Sequence, residues 1–334
     1  MHAERSIYLV AVPSLLAVLA CSNQGGSSTG DPRSGQGGQS TPSSSAGGSQ
    51  SPMNTGGAGG FGTNPIGDSS GSFTSVSMGS DRDACCGIKA DQSIACWGSV
   101  PSYQFLIPAG TFSSVSLGAL FACGTRTDGT IACWGYDAPT PPLGAFTSVS
   151  VGASSACAVR TDGSMACWGD STYLKSAAPG GPFTSVSVDG DFACALKIDG
   201  TVACWGAPSP TETPVGTFIS FSVGFPMMCG VKRSDGTLAC FVRGSTGCTQ
   251  DGIRDCVDST PPGGTFTSVS AGAYFACGVR TDGTLACWGM ATSSVLPEGT
   301  YTSVSVGNDD GLCGVRTDGT LACSYTGHGG SGGM

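Results

Sequence analysis

Histidine is nearly absent from this sequence. The chain of 334 residues has two, His2 and His328, each within seven residues of an end. That argues against imidazole acid–base catalysis and against a His-ligated metal. Basic residues are also scarce, 14 against 23 Asp and Glu, for a formal net charge of −9. Such a surface repels phosphate backbones, so nucleic acid is not an expected partner. Charged types make up only 11% of the residues, too few for a coiled coil, and the 55 Gly are far below collagen's one in three. No segment carries a 3.6-residue apolar period worth reading as a helix. The length suits one large domain or two ordinary ones.

Ser6–Ala20 are almost wholly apolar, fifteen residues interrupted by Pro13. That is short for a membrane-spanning helix of roughly 20 residues but right for an export signal. The run ends in Val18-Leu19-Ala20-Cys21. It resembles the bacterial lipoprotein signal, which implies cleavage before Cys21 and lipidation of that residue. Ser22 rather than Asp follows, which by the same resemblance implies the outer membrane. Residues 22–72 hold 15 Gly and 13 Ser among 51, too little apolar area to offset the entropy of ordering them. A coil of this kind spans roughly 40 Å. The expected organisation is a signal peptide at 1–20, a lipidated Cys and tether at 21–72, a folded body at 73–326, and a flexible tail at 327–334.

The body consists of seven repeats. They open at Phe73, Phe112, Phe146, Phe183, Phe218, Phe266 and Tyr301, mostly as Phe-Thr-Ser-Val-Ser. The intervals are 39, 34, 37, 35, 48 and 35 residues. Each continues through a Cys and a turn, usually Asp-Gly, to a second Cys, most often as Ala-Cys-Trp-Gly. The pattern reads as short strands with close turns. One three-stranded unit cannot cover both of its faces, but seven arranged radially can. The expected fold is all-β, a seven-bladed β-propeller of short antiparallel blades.

Seven cysteine pairs sit in register: Cys86/Cys96, Cys123/Cys133, Cys157/Cys167, Cys194/Cys204, Cys229/Cys240, Cys277/Cys287 and Cys313/Cys323. A three-residue loop at Thr127-Asp128-Gly129 puts Cys123 opposite Cys133. There a non-hydrogen-bonded antiparallel pair brings α-carbons to roughly 4.5 Å, within disulfide range. The fifth repeat carries one extra turn residue and one extra residue between its cysteines, so the two changes cancel. No Cys-x-x-Cys knuckle is present, and disulfides therefore outweigh zinc. Cystines agree with export.

The stretch Cys-x-x-x-x-Asp-Gly-x-x-x-Cys-Trp-Gly, which recurs with variations in the seven repeats over residues 73–324, resembles the regulator-of-chromosome-condensation repeat, especially its secreted bacterial branch. The short repeat is also similar to propeller-type β-lactamase inhibitory proteins. The resemblance implies seven blades. It does not carry over nucleotide exchange: the Gly-Gln-Leu-Gly segment is absent, and Phe121, Phe192 and Phe275 stand where His is usual. Trp is replaced by Phe241 and Ser324 in the fifth and seventh repeats.

Candidate sites lie where the repeats offer unusual chemistry. Asp128, Asp162, Asp199, Asp235, Asp282 and Asp318 read as turn residues rather than calcium ligands or catalysts. Trp97, Trp134, Trp168, Trp205 and Trp288 read as interblade packing rather than a sugar-stacking ring. An insertion at 242–257 encloses Cys248 and Cys256, expected to close a loop bearing Asp251, Arg254 and Asp255, a recognition element or a tolerated insertion. Asp81 and Asp83 of the first repeat and Asp309 and Asp310 of the last share a rim if the ring closes. They read as a solvated acidic patch, with a divalent cation as the sharper alternative. Cys85 reads as a small buried residue where other repeats have Ala. Asn64–Ser72 are expected to complete the seventh blade. The expected function is a monomeric, lipid-anchored envelope module that binds a protein, with no cofactor, metal or catalysis and only its lipid in the membrane. Alternatives are a polysaccharide-binding module, an inhibitor of a secreted enzyme, and, with less support, a carbohydrate-active enzyme.

Overall fold

The computed structural model describes residues 71–79, 84–98, 107–170, 174, 178–207, 214–224, 226–242, 260–273, 275–289, 296, 298–307 and 311–324. Each repeat supplies three consecutive strands to one sheet. Blade one is β1 (Phe73–Met78), β2 (Cys85–Lys89) and β3 (Ile94–Trp97); blade two is β4 (Phe112–Leu117), β5 (Phe121–Arg126) and β6 (Ile131–Gly135). Blade three is β7 (Phe146–Val151), β8 (Ser155–Arg160) and β9 (Met165–Gly169); blade four is β10 (Phe183–Asp189), β11 (Phe192–Lys197) and β12 (Val202–Gly206). Blade five is β13 (Phe218–Gly224), β14 (Met227–Lys232) and β15 (Leu238–Val242). Blade six is β16 (Phe266–Ala271), β17 (Phe275–Arg280) and β18 (Leu285–Gly289); blade seven is β19 (Tyr301–Val306), β20 (Leu312–Arg316) and β21 (Leu321–Ser324). The sheets are antiparallel meanders in chain order.

The first strand of every blade breaks strict alternation. In β4, Phe112 pairs with Arg126 but Ser114 already pairs with Thr125, so Ser113 is bulged out. The bulge brings Phe112 and Val115, three residues apart, to the same face. There the Phe ring covers Gly124, where a Cβ would meet Phe112 Cδ1 at 2.7 Å. Each blade thus has an aromatic face (Phe, Val, Trp) and a cystine face (Ser, Cys and an aliphatic residue). The cystine face of one blade packs on the aromatic face of the next. Cys86, Ile88 and Cys96 meet Phe112, Val115 and Trp134, and the same arrangement recurs around the ring. At the closing seam Cys313, Val315, Leu321 and Cys323 of blade seven meet Phe73, Val76, Met78 and Trp97 of blade one.

All seven expected hairpin cystines are present, with Cα–Cα separations of 3.8–4.1 Å: Cys86–Cys96, Cys123–Cys133, Cys157–Cys167, Cys194–Cys204, Cys229–Cys240, Cys277–Cys287 and Cys313–Cys323. The two ends of a bridge differ in environment. The first cysteine, on the blade's central strand, is buried in every blade. The second lies on the third strand, the edge of its sheet, where no further strand covers it. Cys133, Cys167, Cys204 and Cys240 are accordingly only half-buried, and Cys287 is exposed. Cys96 and Cys323, by contrast, are buried in the interblade core. In blade five the loop is one residue longer, closed by Lys232 N–H to Thr237 O, and Cys229 still faces Cys240. In blade two Gly129, with φ 85°, takes the left-handed position of the three-residue loop.

The ring closes at every junction by the same bond. The opening aromatic's N–H donates to the preceding turn: Phe112 to Gln92 O, Phe146 to Gly129 O, and, at the seam, Phe73 to Gly319 O at 2.9 Å. Among the described residues the seventh sheet takes its three strands from its own repeat; residues 64–70, expected to complete it, lie outside the described residues. Of that segment residues 71 and 72 are described. The Ser72 carbonyl accepts the Ala90 N–H of blade one, and its side chain lies against Gly319 of blade seven.

Candidate functional site

The first strands line an axial channel with a cavity of about 710 Å³. Its wall is knitted by the last Ser of the repeat opening. Ser77 Oγ accepts the Leu117 N–H of the next blade, Ser116 Oγ the Val151 N–H and Ser150 Oγ the Val188 N–H. Ser187, Ser222 and Ser270 do the same for Val223, Ala271 and Val306, all six bonds at 2.9–3.0 Å. The seventh, from Met78 to Ser305, is not made. Near the mouth opposite the turns, glycines let neighbouring backbones touch: a Cβ on Gly118 would collide with Gly152 O, and one on Gly272 with Gly307 O. The seam is looser, with Gly79 O at 3.2 Å from a Cβ on Gly307. Titratable residues among the described lining are Arg160, Asp162, Asp189 and Arg233.

The face bearing the turns carries a ring of charge. Asp128 Oδ1 accepts from Thr130 N–H at 2.8 Å and Thr130 Oγ1–H at 2.7 Å. Asp199, Asp235, Asp282 and Asp318 repeat both bonds, and Asp162 accepts the Ser164 N–H. The hydroxyl bond, then the amide bond, hold each carboxyl below the ordinary aspartate value, with a smaller pull from the nearby base. Asp91 is the seventh member. It escapes the Asp-Gly pattern because Gln92 replaces the Gly and takes the left-handed conformation itself, at φ 69°. These are turn-forming carboxylates, as the sequence indicates.

Beside them lies a basic ring that sequence reading missed: Lys89, Arg126, Arg160, Lys197, Lys232, Arg280 and Arg316. Its signal is the residue three before each turn Gly, or four in the longer fifth loop. Five of its members lie over the aromatic that opens their own blade, as Arg160 does over Phe146 at 4.8 Å and Arg280 over Phe266 at 5.1 Å. Two also donate to the preceding linker, Arg160 to Leu143 O and Arg280 to Gly263 O. The two rings hold seven carboxylates and seven bases, so their formal charges balance. Apolar residues break the charged face in one sector. Ile198 and Ile219, 59% and 48% exposed, stand where most other repeats have Thr, next to Arg233 on the channel rim.

The five tryptophans are 3–8% exposed. Trp205 Nε1 donates to Leu174 O, and Phe73 meets Trp97 edge-on at 5.6 Å. None offers a face for a sugar, so the tryptophan form of the polysaccharide reading fails. Phe121, Phe192, Phe275, Met227 and Met228 are likewise interblade core. Cys85 is fully buried. Asp81, Asp83, Asp309, Asp310, Asp251, Arg254, Asp255, Cys248, Cys256 and Cys21 lie outside the described residues. The strand ends flanking the two acidic segments, Met78 and Cys85 in one blade and Val306 and Leu312 in the other, belong to adjacent blades and lie opposite the turn face.

Residues 146–173 and 266–293, in the third and sixth repeats, match the family model described as the regulator of chromosome condensation (RCC1) repeat. No curated protein matches the chain. Among solved structures it is similar to the ectodomain of the Arabidopsis thaliana receptor kinase ACR4, at 23% identity and TM-score 0.63 over 77% of this chain and 97% of that one. The ectodomain of the Physcomitrella patens receptor kinase CR4 gives 24% identity and TM-score 0.64, over 77% and 75%. Yeast RCC1 (Prp20), solved bound to Kap60, gives 13% and 0.50, over 77% and 81%. These likenesses establish the fold.

Proposed function

We propose that the chain is a protein-binding propeller of the bacterial cell envelope, anchored by lipid at Cys21 and held off the membrane by residues 22–72. It works as a monomer without cofactor or catalysis. The observation that supports this reading is that the repeat's recurring polar and aromatic residues are engaged in the scaffold. The turn aspartates hold their own loops, the channel serines join blades, and the tryptophans fill interblade contacts. Recognition then falls to what differs between repeats: the 242–257 insertion with Asp251, Arg254 and Asp255, and the acidic segments with Asp81, Asp83, Asp309 and Asp310. Loops on a rigid frame are suited to that task. The yeast protein of the same fold was solved with a protein partner, which is consistent with this use of a propeller.

The test uses the full chain and a variant in which 243–257 is replaced by a short Gly/Ser turn. Cross-linking in envelope preparations, followed by a binding isotherm with the captured protein, should give saturable one-to-one binding that the variant loses. Equal binding by both variants, and by a third with Asp81, Asp83, Asp309 and Asp310 changed to Asn, overturns the assignment of the surface. Incorporation of labelled fatty acid that disappears in Cys21→Ala tests the anchor.

A further inference from the structure

One position on the aromatic face lies against the preceding blade's cystine in every junction. It is Ala122, Ala156, Ala193 and Ala276 in blades two, three, four and six, Met228 in blade five and Leu312 in blade seven. In blade one it is Cys85, paired with Trp97 as Ala122 is with Trp134. Its neighbour is therefore the Cys313–Cys323 bond of blade seven. Cys85 Sγ lies 3.7 Å from Cys313 Sγ, and the three sulfurs are all within 4.8 Å of one another. The thiol stands at the one junction that no peptide linker spans. That junction also lacks the Ser–amide bond the other six make. Two of the three sulfurs are already joined, which disfavours a resident metal.

The geometry points to a thiol–disulfide exchange site at the ring's seam, through which a bond inside the last blade becomes a bond between the last blade and the first. The Cys85 thiolate attacks Cys313 Sγ. The Cys85–Cys313 bond forms, the Cys313–Cys323 bond breaks, and its electron pair leaves on Cys323, which takes up the proton that Cys85 gave up. Nothing is oxidised or reduced overall, so no co-reactant is needed. In-line attack at 3.7 Å would place Cys323 Sγ about 5.7 Å from Cys85. With all three sulfurs inside 4.8 Å, the resting thiol lies beside the bond. Exchange therefore requires a side-chain rotation that aligns the three, and it proceeds slowly from the closed state. The outcome is a covalent closure between residues 228 apart in sequence, where the hairpin bond spans ten. It also moves the thiol across the seam from β2 of the first blade to β21, the edge strand of the last.

Two arms test this on the full chain. In the first, oxidised wild-type protein is held at mildly alkaline pH, quenched in acid, unfolded, alkylated and mapped without reduction. Label should shift with time from Cys85 to Cys323, as a Cys85–Cys313 peptide appears and a faster non-reduced gel band grows. Label confined to Cys85, with Cys313–Cys323 intact throughout, overturns the proposal. In the second, Cys323→Ala is incubated with oxidised glutathione. Cys85 and Cys313 should couple to each other and become inaccessible to alkylation, and Cys85→Ala/Cys323→Ala should leave Cys313 reactive. Folded Cys323→Ala with both thiols alkylated also overturns it. Should that variant not fold, the wild-type arm decides alone.

Discussion

The serine belt around the channel makes a sharp energetic prediction, because the ring contains its own control. Ser116→Ala deletes the oxygen that accepts the Val151 N–H at 3.0 Å, where Ser116 is 8% exposed. A buried amide stripped of its acceptor costs about 1–3 kcal/mol. The channel can admit water beside the vacated oxygen, so the cost should fall at about 1–2 kcal/mol. For a domain of this size that lowers the melting midpoint by roughly 2–8 °C. Ser305→Ala makes the same chemical change at a side chain also 8% exposed, but at the seam no Met78 N–H is bonded to it. Its cost should stay within about 0.5 kcal/mol. Thermal and urea unfolding of the two oxidised variants, with cystines verified by mass, gives the comparison. If Ser305→Ala is as damaging as Ser116→Ala, or if Ser116→Ala is silent, the hydroxyls do not join the blades as argued.

Three more outcomes follow from the same structure. The turn aspartates are held below the ordinary value by bonds made only when folded, so their stabilisation is complete above the unfolded aspartate pKa of about 3.9 and is lost as pH falls through the folded values. The melting midpoint should therefore show no loss from these groups between neutrality and about pH 5, and should drop below about pH 4; a fall centred well above pH 5 would contradict this. Gly118→Ala drives a Cβ into the Gly152 carbonyl and should prevent accumulation of folded protein, whereas Gly180→Ala, with nothing within 4 Å, should melt like wild type. Removing one hairpin cystine, as Cys123→Ala/Cys133→Ala, should cost about 2–3 kcal/mol by denaturant titration, because that bridge spans only ten residues.

Local register was legible because it follows from local chemistry. A turn Gly with positive φ, a fixed loop length and strand alternation decide which residues oppose one another, and these place Cys123 against Cys133 without reference to the rest of the chain. The extra residue in the fifth loop could be read for the same reason. How far each bridge is covered could not: Cys157 is buried while its partner Cys167 is half-buried, and Cys277 is buried while Cys287 is exposed, because cover depends on the neighbouring blade. The bulge after each opening aromatic was not legible either, since it turns the Phe toward the preceding cystine. The serine acceptors, the cations lying over their blades' first ring and the Ile198–Ile219 break in the charge ring also depend on which faces meet.

By itself, then, the sequence determined seven copies of a three-stranded meander, their turns and their internal sulfur bonds, because each is settled within about 25 residues by backbone geometry. Only the tertiary structure decided that cystine faces meet aromatic faces, that the ring closes through Phe73 and Gly319, and that Cys85 lies beside Cys313. Contacts across 228 residues arise from closing the ring, and no local pattern encodes which blade meets the first.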